Sequence, residues 1–229
     1  MVEKAGPQLK RKALFGQAQL ALGMGLALFV PGGLRYLEGW VLLSVFELCS
    51  LAITLHLIEH DPALLEGRLK AGPSAEQRTQ QKWVQLFASV AFLGTLVLCA
   101  FDHRGAWSHL AWPLVMLGDL LVAFGFGVVF RVFRENTFAS AVIELRGEQR
   151  VIDSGPYAWV RHPMYAGGVL LMAGIPLALG SLWGLTVLLP FVGLIVWRLL
   201  DEEAFLSARL PGYAAYCQRT RYRLLRGVW

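Results

Sequence analysis

Long apolar runs separated by short polar segments dominate the chain. Set against the roughly 17 to 25 residues that cross a bilayer as a helix, six runs qualify as candidates: 14–30, 40–58, 83–101, 110–130, 163–179 and 182–200. The pattern predicts an all-α fold, a multi-pass transmembrane bundle of about six spans. Glu47 and His56 interrupt the second run and Asp119 the fourth. Such groups are tolerated against other helices and costly against lipid, so they are expected to face inward. Only Gly180 and Ser181 separate the last two runs. They predict a tight antiparallel hairpin that need not cross fully, with Gly174 and Pro176 favouring a kink in its first helix.

Charge between the runs sets the expected orientation, because Lys and Arg gather on the cytoplasmic side. Lys4, Lys10, Arg11 and Lys12 precede the first run, and Arg68, Lys70, Arg78 and Lys82 separate the second from the third. Arg131, Arg134, Arg146, Arg150 and Arg161 lie between the fourth and fifth, and Arg209, Arg219, Arg221, Arg223 and Arg226 follow the last. The alternate loops hold only Arg35 and Arg104. Both termini and the 131–162 segment are therefore expected in the cytoplasm. The first run can also be read as a signal peptide, but the later loops alternate correctly only if it stays as a span.

Composition agrees with a membrane protein. Of 229 residues 56% are hydrophobic and 16% charged, against about 25% charged in soluble domains. The formal charge of +5 is divided among several segments rather than gathered on one face, so no nucleic-acid partner is expected. Three cysteines without paired spacing indicate neither a disulfide framework nor a zinc ribbon. The stretch His56 to His60, "HLIEH", fits a zinc-peptidase pattern, but no third ligand is evident downstream and the segment reads as the polar exit of a span; no metal is expected. "GMG" at 23–25 and "GFG" at 125–127 lack the spacing and the strand-to-helix context of a dinucleotide fingerprint, and close helix approach explains them better. No GxSxG elbow is present. The expected organisation is one integral membrane domain over 1–229, with N-terminal helices in 1–82, a core in 83–229 and a site within 131–229.

Polar residues concentrate beside apolar runs in the C-terminal half: "FRVFRENTFAS", "SGPYAWVRHPMYAGG" and "VWRLLDEEAFLSARLPGYAAY". Arg198, Glu202 and Phe205 share one helix face at i, i+4, i+7, and Glu203 is turned about 100° away. Singly, each motif has an ordinary reading, as an i, i+4 ion pair or a basic flank with proline opening a helix. Together, Gly155, Pro156, Tyr157, Arg161, His162, Pro163, Tyr165 and Gly167, then Arg198, Glu202 and Glu203, then Tyr213 and Tyr216, resemble the isoprenylcysteine carboxyl methyltransferase family and its relatives among phospholipid N-methyltransferases. Arg131 and Asn136 resemble the family's arginine and asparagine ahead of that core. The resemblance covers about 118–229; the first two spans match no motif.

The resemblance implies a membrane enzyme that uses S-adenosylmethionine, with RHPxY and EE segments building the cofactor pocket at the cytosolic face and a lipophilic methyl acceptor. The cofactor residues so implied are Tyr157, Arg161, His162, Pro163, Tyr165, Gly167, Glu202 and Glu203. Arg131, Asn136, Arg198 and Glu202 are the catalytic candidates. Arg161 or His162 suits the cofactor carboxylate, Glu202 or Glu203 its ammonium or ribose, and Tyr157 or Tyr165 its adenine or sulfonium. A carboxylate acceptor would use Arg131, Asn136 and Arg198 as donors, whereas an amine would need Glu202, Glu203 or His162 as base. A phospholipid amine or small thiol acceptor, an NADPH-dependent sterol-type reductase and a non-enzymatic membrane lipid-binding protein are the competing expectations.

Overall fold

A computed structural model describes residues 5–69, 79–139 and 150–229, which leaves the basic residues Lys4, Lys70, Arg78 and Arg146 outside the described residues. Those residues form helices and no strands: α1 (Pro7–Gly32), α2 (Leu37–His60), α3 (Pro62–Leu69), α4 (Thr79–Gly105), α5 (Trp112–Glu135), α6 (Pro163–Ala178), α7 (Leu188–Arg209) and α8 (Tyr213–Arg219). Several helices begin on a proline in the first turn, where its missing N–H costs nothing: Pro7 in α1, Pro113 in α5 and Pro163 in α6. At the exit of α2, Asp61 accepts from the Leu64 backbone N–H at 2.9 Å and caps α3.

Five of the six apolar runs become helices long and apolar enough to cross a membrane: α1, α2, α4, α5, and α7 together with the 3-10 turn Trp183–Val187 before it. The sixth, α6, has 16 residues and so spans about 24 Å, short of the roughly 30 Å hydrocarbon core. The architecture is thus a multi-pass α-helical bundle in which α6 is the short member of the expected hairpin. Outward positions such as Phe15, Leu22 and Val30 on α1 and Leu120 and Phe124 on α5 are exposed, which suits a lipid-facing surface.

Glycine sets the closest helix pair. A Cβ on Gly118 would collide with the Ala178 backbone, one on Gly125 would meet the Gly167 carbonyl at 2.9 Å, and one on Gly174 the Gly118 carbonyl at 2.7 Å. α5 and α6 therefore meet backbone to backbone along these glycines, as small residues permit in membranes. Gly167 belongs to this seam. Gly23 and Gly127, by contrast, have nothing within 4 Å of a built Cβ, so close approach explains Gly125 but not its two counterparts.

Glu47 and His56 meet groups on neighbouring helices, whereas Asp119 Oδ1 is buried without a hydrogen-bond partner among the described residues. Gln17 of α1 donates to Glu47 of α2 at 2.5 Å, and the His56 ring stacks on His60 at 4.2 Å with the Phe130 edge nearby. At the end of the bundle away from the basic segments, buried Asp102 accepts from the Ser108 N–H at 2.8 Å, the Ser108 hydroxyl at 2.7 Å and the Ser181 hydroxyl at 2.5 Å. This carboxylate ties the exit of α4 to the α6–α7 turn, where Gly180 adopts a φ of +68°. Gly118→Val is expected to cost about 3 kcal/mol by overpacking, and Gly127→Val less than 0.5 kcal/mol, read as a large against a negligible drop in unfolding temperature in detergent.

Candidate active site

The ends of α5 and α7, the start of α6 and the C-terminal tail converge at one end of the bundle. The GPY turn is built first. Gly155 adopts a φ of +55° in the 3-10 turn Gly155–Ala158, a conformation that favours glycine. A Cβ there would also meet the Glu135 carboxylate at 2.8 Å. The Ser154 hydroxyl donates to that same Glu135, which anchors the turn to the end of α5. Asn136, next in sequence, donates from Nδ2 to the Tyr157 hydroxyl at 2.8 Å and accepts the Phe138 N–H at 2.9 Å.

Arg161 and His162 come next, and their backbone N–H groups donate to the Tyr222 and Arg223 carbonyls, each at 2.9 Å. The tail is thereby laid alongside the entrance to α6. Their side chains both reach Glu203, Arg161 Nη1 and His162 Nε2 each at 3.1 Å from Oε1. Arg223 Nε holds the other oxygen at 2.9 Å, and its guanidinium lies 5.0 Å over the Trp229 ring. Glu203 is buried at 8% exposure, so its charge is matched on every side as burial requires. Arg161 Nε is buried with no hydrogen-bond partner among the described residues.

One turn earlier on α7 a second set forms around Tyr165. Its hydroxyl donates to Glu202 Oε2 at 2.5 Å and accepts from Arg198 Nε at 3.0 Å, so the face predicted for Arg198 and Glu202 meets one phenol. Arg198 also donates to Gln81 Oε1 at 2.9 Å, and Gln81 Nε2 to Asp201 at 2.5 Å. Thus α4 fixes the arginine from behind.

These groups border a cavity of about 860 Å³ counting its open mouth. Asn136, Tyr157, Arg161, His162, Pro163, Tyr165, Arg198 and Glu202 line it, together with Arg150, Phe138, Met164, Leu206, Tyr213 and Tyr216. Tyr216 donates to the Tyr157 carbonyl at 2.8 Å. Burial pushes the Tyr157 phenol up to about 12 and raises Tyr213 and Tyr216 further, so all three stay neutral in the cell. Their rings offer apolar faces with hydroxyl donors at the rim.

Three expected site residues are placed differently. Arg131 is exposed on α5 and does not border the cavity, because it lies off the helix face that ends in Asn136. Gly167 serves the α5–α6 seam. Glu203 sits behind the cavity wall, where it holds Arg161 and His162. Gln81, Arg223 and Met164 were not singled out in the sequence; Met164 lies between two predicted site residues, and only folding brings Gln81 and Arg223 to the site. Among the described residues no group of three or more His, Cys, Asp or Glu could hold a metal ion.

A cavity lined by carboxylate, guanidinium and tyrosine thus lies at one end of a multi-pass helical bundle. Residues 113–210 match the model of the phospholipid methyltransferase family, which bears out the resemblance and supports a membrane methyltransferase. Over 115 residues the chain is 28% identical to the cobalt-zinc-cadmium resistance protein CzcN of Cupriavidus metallidurans, covering 50% of this chain and 53% of that protein. The chain thus spans about half the length of the curated relative it matches.

Glu203→Ala would leave two guanidiniums and an imidazole buried around an empty centre. It is expected to cost about 3 kcal/mol or more, whereas Glu202→Ala, at the cavity wall, changes the unfolding temperature little; differential scanning fluorimetry in detergent compares the two.

Proposed function

We propose that the chain is an integral membrane methyltransferase that moves a methyl group from S-adenosylmethionine to a lipophilic acceptor, with a carboxylate as the group methylated. The observation that carries the reading is the Glu202–Tyr165–Arg198 set on the wall of a cavity that also holds Arg161 and the Tyr157, Tyr213 and Tyr216 rings. Every pole of the cofactor has a complement there. Glu202 suits the ammonium or the ribose hydroxyls, the partnerless Arg161 Nε the carboxylate, and the tyrosine faces the adenine or sulfonium. His162 and Glu203 serve this reading as a pair that fixes Arg161, rather than as direct ligands.

The cofactor supplies an activated methyl group. The protein's part is to align acceptor, methyl carbon and sulfur and to exclude water. Transfer from a cationic methyl donor to an anionic carboxylate would neutralise both charges, so a site whose tyrosine faces exclude water would favour it. Arg198 and Asn136 are placed to orient the acceptor carboxylate; Arg131 has no part. The basic segments cluster at this end of the bundle, with Lys10, Arg11 and Lys12 in the first turns of α1 and Arg209 to Arg226 from the last residue of α7 onward, and the charge rule supports a cytoplasmic site and termini.

An amine acceptor is the second reading, favoured by Glu202 as the carboxylate on the cavity wall and able to take a proton. Calorimetric titration with S-adenosylhomocysteine is expected to give saturable binding that falls at least tenfold in Glu202→Ala and His162→Ala. Retained affinity in both variants would sink the residue assignment, and binding of NADPH in place of S-adenosylhomocysteine would overturn the reaction class.

A further inference from the structure

A second cavity opens between α1, α2, α3, α5 and α6, about 1390 Å³ counting its open side. It shares Met164 with the candidate active site, where that side chain borders both spaces. Arg68 closes the junction, donating to Met164 Sδ at 3.8 Å with its guanidinium 5.2 Å over the Phe133 ring. From there the groove runs into the bundle, bordered by an eight-residue stretch on each of α1, α2, α5 and α6, about 10 Å of helix. Its wall is chiefly apolar. Gly168 and Gly16 keep it open, with nothing near a built Cβ on Gly168 and only Leu69 at 3.9 Å from one on Gly16.

One part of the wall is polar. Gln17 on α1 and Ser50 and Thr54 on α2 line the groove at membrane depth. The Gln17 carbonyl accepts from Ser50 at 3.1 Å and Thr54 at 3.5 Å, and its amide nitrogen donates to Glu47. An amide nitrogen carries two N–H groups, so one donor remains after Glu47. Glu47 Oε1 is buried without a partner among the described residues. The set is not closed on itself, and unsatisfied polar groups at this depth are expensive unless they bind something.

We propose that this groove holds the hydrocarbon chain of the methyl acceptor, and that Gln17, Ser50 and Thr54 recognise a hydroxyl carried partway along it. The inference rests on the methyltransferase reading for the identity of the occupant. Met164 borders both spaces, so the end of the groove abuts the cavity, and displacement of the Met164 and Arg68 side chains would let the chain's reactive end reach Glu202 and Arg198 while its body lies in the groove. A hydroxyl suits the polar set because it accepts from the Gln17 N–H and donates to a Ser50 or Thr54 oxygen. A plain chain would leave those groups unmet, which penalises it. Gln17, Ser50 and Thr54 all lie outside the 113–210 segment that matches the family, so recognition of the hydroxyl is assigned to the N-terminal helices.

The test uses the full chain in mild detergent with two radiolabelled probes, a long-chain fatty acid hydroxylated at mid-chain and its unsubstituted parent. The hydroxylated probe is expected to bind about tenfold more tightly, the worth of one good hydrogen bond. Gln17→Leu and Thr54→Val should each erase the preference, and Gly168→Leu should weaken both probes at least tenfold by filling the groove. S-adenosylhomocysteine binding, unchanged in all three variants, verifies that they fold. Equal affinities for the two probes, or a preference that survives both polar substitutions, would overturn the hydroxyl subsite. Full probe binding in Gly168→Leu would overturn the groove. Loss of S-adenosylhomocysteine binding in the unsubstituted protein would instead strike the methyltransferase reading, leaving the groove to be judged on its probes.

Discussion

Glu203 is the charge on which the C-terminal half turns. It lies on α7, yet its three partners come from the entrance to α6 and from the tail, Arg161, His162 and Arg223. A carboxylate buried to this degree is stable only if it is fully paired. The need for three cationic or imidazole partners therefore fixes where α6 begins relative to α7. It also fixes the tail, whose carbonyls at 222 and 223 accept the Arg161 and His162 N–H groups that precede the first turn of the helix. With these elements locked, Glu202, one residue earlier, is turned toward Tyr165 and the cavity. Neighbouring glutamates thus divide the work by helix geometry alone, since successive residues are rotated about 100° apart.

Much of this was legible in the sequence because it rests on local rules. Run length and hydropathy set the helices, proline positions marked their starts, and the i, i+4 spacing placed Arg198 and Glu202 on one face. What could not be read were the choices made by tertiary contact. Arg131 and Asn136 lie five residues apart near the end of the same helix, but only Asn136, at its cap, reaches Tyr157. Gly167 sits inside the RHPMYAGG motif and looks like site chemistry, whereas it serves the α5–α6 seam through Gly125. The glycine pairs at 23–25 and 125–127 have the same spacing, and only Gly125 meets a neighbour closely. Nor does any local signal reveal that Gln81, 117 residues before Arg198, would hold its guanidinium.

Met164 shows how the two halves of the molecule are joined. The segment 113–210 supplies nearly all of the polar cavity, and α1 to α3 supply most of the groove's outer wall. Because Met164 is the second residue of α6, directly after Pro163, the same helix start that orients Arg161 and His162 also sets the junction between them. Its thioether is flexible and polarizable, suited to a wall that has a polar cavity on one side and an apolar groove on the other. Tyr165, the next residue, points its hydroxyl to Glu202 and Arg198. Adjacent side chains therefore face different spaces from one rigid turn. On the proposed reading, a water-soluble donor and a membrane-dissolved acceptor need such a divide: polar groups are costly against lipid, and a hydrocarbon chain gains nothing from entering a cavity of charges. The short α6 meets this constraint by placing its polar start at the bundle's end, while Gly168 and Leu171, further along, line the apolar groove.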